Sequence, residues 1–205
     1  MLTVFYTAGA RELAQDWFGP EVADELLARA VGALDGAEVL FAARRGWLFA
    51  DIAHPHLREQ KRSIRRDRDG ALFIYNHEFT KRHDAPPYLG VRALLTQIQA
   101  AQPLGIQRIE LYGEGDAKSV SRNGYYTWAR CGFDAPLWLE EQKNLSGELY
   151  GARTLNELMQ HQAGIKWWRR NGCSRPMVFD LAPDSSMMMV FRGYTRELEA
   201  KGWQL

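Results

Sequence analysis

The stretch SRNGYYTWARCGFD, residues 121–134, concentrates groups able to do chemistry: the adjacent phenols Tyr125 and Tyr126, then Trp128 and Cys131. A phenol can give up a proton during a reaction, but rings at this density also fill interiors, where their hydroxyls bond to backbone. A second stretch, YNHEFTKR (75–82), places two proton acceptors, His77 and Glu78, side by side. Glu78, near a strand end, is equally a solvated charge that discourages edge pairing. His54-Pro55-His56 offers two imidazoles with no third ligand at a usual spacing, so no metal is expected. Arg58, Lys61, Arg62, Arg65, Arg66 and Arg68 crowd one segment and are interleaved with Glu59, Asp67 and Asp69. A solvated hairpin is the default for such a run, and an arm contacting phosphates is the alternative. No Ser/His/Asp order, Gly-rich nucleotide fingerprint or Cys-based motif stands out, which shifts weight toward chemistry carried by a cosubstrate.

At 205 residues and 46% apolar side chains, the chain is long enough to bury a full core. Its formal charge of +1 excludes bulk attraction to nucleic acid or anionic lipid, so such binding would need a local patch. Cys131 and Cys173 match no metal or redox spacing, which suits a reducing compartment. The N-terminus lacks a basic leader-like region and no apolar run reaches membrane length, so a soluble, cytoplasmic protein without a membrane partner is expected.

The elements that must position these groups follow from periodicity. LTVFY (2–6) reads as a strand, and ARELAQDWF and PEVADELLARAVGAL read as helices. EVLFAAR (38–44), WLFADIA (47–53) and ALFIYNHEF (71–79) predict three strands of an antiparallel meander, with Arg45-Gly46 as the first turn and the basic segment before the third strand. A helix over VRALLTQIQAAQPLG, a strand over IQRIELYG and a short helix over SRNGYYTWARCGF closed by Gly132 come next. After the extended FDAPLWL, a helix covers TLNELMQHQAGIKWWRRNG, a strand RPMVFDL, and a last helix SSMMMVFRGYTRELEAKG, capped by Ser185 or Asp184. We expect one α/β (α+β) domain over 1–205, with a core at 1–140 and an elaboration of helices and a strand at 141–205. WWRRNG and MMMVF pack that elaboration onto the core; an exposed patch there would imply a homodimer or a protein partner.

The order β-α-α-β-β-β-α-β-α-β, the turn DAPPYLGVRALL and the ending Trp128-Ala-Arg-Cys-Gly132-Phe133 together resemble the GCN5-related N-acetyltransferase superfamily over roughly residues 1–140. The resemblance implies a mixed, mostly antiparallel sheet flanked by helices. It also implies acetyl-CoA as cosubstrate, no metal, and direct transfer of an acetyl group to an amine of a small-molecule or protein acceptor. Backbone N–H groups from Gly90 to Arg92 would hold the pyrophosphate, with Phe79, Leu89, Val91, Asn123 and Trp128 also against the coenzyme. Aligned on Gly90, Pro87 takes the first motif position and removes an N–H, while Arg92 takes the last and adds a charged donor. Trp128 stands where the family keeps its acidic Tyr, which leaves Tyr126, then Tyr125, to protonate the thiolate. For the base the order is Glu78, then His77 and His83; alternation predicts Asn76 and Glu78 on one face, His77 and Phe79 on the other. The alternative is a non-catalytic module of the same shape that binds nucleic acid or a protein through its basic hairpin and aromatic surface, a view that Pro87, Arg92 and Trp128 favour.

Overall fold

A computed structural model of the chain describes residues 1–119 and 122–205; Ser121, at the head of the aromatic stretch, lies outside them. The chain divides into two compact units, Met1–Ile109 with Leu205, and Glu110–Gln204. The architecture is mixed α/β with mostly antiparallel strand pairing. Among the described residues no helix is long and apolar enough to cross a membrane.

The first unit holds β1 (Thr3–Tyr6), α1 (Ala10–Phe18), α2 (Asp24–Ala30), β2 (Glu38–Arg44), β3 (Trp47–Ala53), β4 (Leu57–Arg66), β5 (Leu72–Lys81) and α3 (Leu89–Ala101). β1 lies parallel to β2, and β2 to β5 form an antiparallel meander in chain order. Arg45 and Gly46, with φ of 54° and 74°, close the β2–β3 hairpin in the doubly left-handed turn whose twist matches that of the strands. Period-2 alternation buries one face of the sheet: Val39, Phe41, Leu48, Ala50, Ile52, Ile64 and Ile74. This face meets the helices, as Gln60 donates to the carbonyls that end α2 and Asn76 exchanges hydrogen bonds with Gln97 of α3.

Two expectations change here. The basic segment is a full strand, so four strands separate α2 from α3 where three were expected. Its inward positions are Gln60, Arg62 and Ile64, so the apolar alternation that betrays a half-buried strand is absent. The helix predicted from Pro20 is confined to Asp24–Ala30, after the turn around Gly19 to Val22.

The second unit takes most of β6 (Arg108–Asp116), then α4 (Gly124–Arg130), α5 (Leu139–Lys143), a 3-10 turn at Gly147–Leu149, α6 (Leu155–Met159), α7 (Gln162–Asn171), β7 (Cys173–Asp180) and α8 (Ser186–Ala200). β6 and β7 are neighbours, and Ser174 ties them by accepting from the Gly115 N–H and donating to its carbonyl. The single helix expected over 154–172 is two helices. Thr154 caps the first, and Gly164 in the second comes so near the Leu158 carbonyl that a Cβ there would lie 2.1 Å from its oxygen. FDAPLWL makes only isolated bridges, Asp134 with Val178 and Pro136 with Thr154. Ser185 caps α8 by accepting from the Met188 N–H, and Gly132, at φ 92°, ends α4.

Candidate functional site

In the first unit the candidate residues gather on β5 and at the start of α3. The register of β4 against β5 slips between Lys61, opposite Glu78, and Arg62, opposite Asn76, which makes His77 the extra residue of a β-bulge. Simple alternation is therefore broken, and the expected pairing of faces is exchanged. Asn76 and Phe79 point to the helices, while His77 and Glu78 share the exposed side.

Asn76 is not free to line a reacting centre, because it and Gln97 use both their amide groups on each other at 3.1 Å. Phe79 packs with Leu34, Leu57, Leu89 and Ala93. Its ring fills the space above Gly90, where a Cβ would stand 3.2 Å from Cε1. Gly90 thus has a packing reason of its own. Glu78 is exposed and its carboxylate makes no hydrogen bond or ion pair among the described residues. His83 is exposed in the segment between β5 and α3.

The bulge carries a buried cation that the sequence did not single out. Arg62, 3% exposed, donates through Nη1 to the Glu78 carbonyl at 2.6 Å and to the Lys61 carbonyl at 2.9 Å. Its guanidinium stands 5.7 Å from the Phe79 ring centre, and its Nε has no partner. Burial pushes its pKa down to about 9, which leaves it cationic at neutral pH. Arg62 supplies donors to carbonyls that the slipped ladder leaves to it.

On the exposed side, the Ser63 hydroxyl, wholly buried, sits 2.9 Å from His77 Nε2, and Arg65 bonds to both. Arg65 can only donate, so Nε2 is the unprotonated nitrogen and the Ser63 hydroxyl donates to it. Loss of water on the packed side of the ring, then the charges of Arg65, Arg62 and Lys61, hold the His77 pKa down at about 4. The Arg65 guanidinium lies over Trp47 at 4.0 Å and Tyr75 at 4.6 Å, so it is stacked within the sheet surface. Ser63 is wholly buried and its oxygen already accepts from Arg65 Nε, so the Ser63–His77 pair presents no nucleophile to solvent. His54 and His56 have ring centres 5.5 Å apart, and His54 Nδ1 accepts from the His56 N–H.

At α3, Tyr88 adopts a left-handed conformation (φ 57°) immediately before the helix. The first intrahelical bond runs from the Arg92 N–H to the Tyr88 carbonyl, so the N–H groups of Leu89, Gly90 and Val91 have no acceptor among the described residues. Pro87 lies before the cap, and its missing N–H is not one of these donors. The Leu89 and Val91 side chains are buried and the Arg92 side chain is exposed.

In the second unit, the two phenols of α4 differ. The Tyr125 side chain is 5% exposed, and its hydroxyl donates to the Arg169 carbonyl at 2.8 Å; burial raises its pKa. Trp168 answers by donating from Nε1 to the Tyr125 carbonyl at 3.0 Å, which staples α4 to α7. Tyr126 is half-buried beneath the Arg169 guanidinium, and its hydroxyl has no hydrogen bond among the described residues. Trp128 packs edge-on against Phe133, which continues through Phe179 to Phe191 as an aromatic core. Asn123 caps α4 through its carbonyl, which accepts from Tyr126 and Thr127, and its side chain makes no cap bond.

Compared with protein-family models, curated proteins and solved structures, the chain matches none.

Proposed function

We propose that the protein is an acyl-CoA-dependent N-acyltransferase that moves an acetyl group from acetyl-CoA to an amine. The supporting observation is local: a bulged β5 precedes a 13-residue helix whose three leading N–H groups, behind a left-handed Tyr88, are unoccupied by any described residue. Such donors at the positive end of a helix suit a pyrophosphate. The Arg92 side chain, exposed on the first turn, adds a cation for it.

In the reaction, the amine nitrogen attacks the thioester carbonyl carbon, its surplus proton passes to a base, the C–S bond breaks and the thiolate takes a proton. Glu78 suits the base, being a solvent-reachable carboxylate with no partner. Of the phenols, Tyr126 suits the acid, because the Tyr125 hydroxyl is committed to Arg169. The thioester is already activated, so the larger part of the catalysis is holding the two reactants together.

The test is thermal shift with acetyl-CoA and CoA, followed by thiol release with a panel of amines. Binding raises the melting temperature by an amount set by ligand concentration over its dissociation constant. No shift at about 1 mM acetyl-CoA refutes the assignment. The packing of Trp128 against Phe133 favours a second assignment, a module of this shape without catalysis. A shift with CoA and no thiol release from any amine would select it.

A further inference from the structure

The face of β1–β5 away from the helices carries a groove of about 700 Å³, within the range of small-molecule sites. Its floor is apolar, since Phe5 is 51% and Leu40 41% exposed. Glu38, Asp51, Arg58, Glu59 and Lys61 also line it. Lys61 is occupied by Glu59 at 2.6 Å, whereas the carboxylates of Glu38 and Asp51 make no ion pair among the described residues. The charged lining is three carboxylates, Glu38, Asp51 and Glu59, against two cations, Arg58 and Lys61, so the hydrophobic trough keeps a net negative charge.

Register ties this groove to the candidate base. Phe5 pairs with Leu40, Leu40 with Asp51, Asp51 with Lys61, and Lys61 with Glu78, one row across five strands. The bulge at His77 turns Glu78 onto this face; without it, alternation from Asn76 would be unbroken. Two strand spacings, about 10 Å, separate Asp51 from Glu78.

The geometry points to this groove as the acceptor subsite, taking a primary ammonium carried on an apolar body of small-molecule size. The apolar body lies on Phe5 and Leu40, and the ammonium is drawn along Asp51 toward Glu78. Along the row from Asp51 to Glu78 a carboxylate ligand meets like charge, because the one cation between them, Lys61, is held by Glu59, while Arg58 lies three residues away along β4, outside that row.

Its role as acceptor subsite rests on the acyltransferase assignment, but the binding itself does not. Phenethylamine, hydrocinnamate and ethanolamine are titrated separately into the whole protein without acetyl-CoA, with backbone amide shifts followed by NMR. Phenethylamine is expected to shift the amides of Leu40, Asp51 and Lys61, and hydrocinnamate and ethanolamine to bind at least about tenfold more weakly. Asp51→Asn and Leu40→Asn, both at exposed positions, are expected to weaken phenethylamine about tenfold each. Equal binding of hydrocinnamate, shifts confined to other parts of the molecule, or no saturable shift up to about 10 mM phenethylamine would overturn the inference. An intact acetyl-CoA thermal shift beside any of these outcomes sinks the groove alone, and amine binding without that shift sinks the acyltransferase assignment alone.

Discussion

Replacing Glu141 by Gln keeps the shape of a buried side chain and removes one charge. Arg175 lies between Trp138 and Trp168 at 4.4 and 4.5 Å, and its side chain is 2% exposed against 11% for Glu141. The guanidinium engages both Glu141 oxygens and also donates to the Pro136 carbonyl at 3.0 Å. Glutamine leaves the cation buried without a counter-charge and turns an NH2 group toward its donors. Removing one partner of a buried pair costs roughly 3–5 kcal/mol, and the partial exposure of Glu141 argues for the lower end, about 3 kcal/mol. In a chain of this size that corresponds to a fall of about 6–12 °C in Tm. Urea unfolding followed by circular dichroism measures it, with the midpoint lowered and the slope unchanged. The double variant Arg175→Met with Glu141→Leu removes both charges and is expected to cost less than Glu141→Gln alone. A loss below about 1 kcal/mol for Glu141→Gln, or a double variant whose loss equals the sum of Arg175→Met and Glu141→Leu made singly, would refute this account of the pair.

Three further outcomes are expected. Gly172→Ala places a Cβ 2.6 Å from Trp168 Cε2 and 2.7 Å from both the Trp168 carbonyl oxygen and Tyr125 Cδ2, and should cost about 3 kcal/mol, read by urea unfolding; a loss under about 1 kcal/mol would contradict the packing described. The folded-state pKa of His77 lies at about 4, below the ordinary 6.5, so the unfolded state binds the extra proton and stability falls as pH drops through this window. The full difference is about 3 kcal/mol, reduced by solvent screening of an exposed ring to about 1 kcal/mol, and His77→Phe should lose that part of the slope between pH 6.5 and 4 while wild type keeps it. Finally, Tyr126→Phe should lower amine-dependent thiol release by about tenfold or more with little change in Tm, whereas Tyr125→Phe, which orphans the Arg169 carbonyl, should lower Tm; the reverse pattern would exchange their roles.

The strands at 38–44 and 47–53 and the helix at 10–18 were legible from periodicity and turn residues alone, because their buried positions are apolar and their punctuation is Gly. Ser185 was readable as a cap for the same local reason. β4 was not, since Gln60 and Arg62 occupy inward positions that are normally apolar, where they donate to the carbonyls of Val31 and Gly32 just after α2, of Lys61 and of Glu78. Nor was the bulge, which depends on how β5 lies against β4 and exchanges the faces assigned to Glu78 and Phe79.

The types and order of most elements were therefore readable before folding, since a residue's preference for helix, strand or turn acts over a few neighbours. The sequence also offered a few phenols, carboxylates and imidazoles as candidates. Which of these groups remain available emerges from the folded chain. Tyr125 gives its hydroxyl to a carbonyl 44 residues away, Asn76 gives its amide to Gln97, and Tyr126 and Glu78 keep theirs. That partition is set by contacts between residues distant in sequence, which no local pattern encodes.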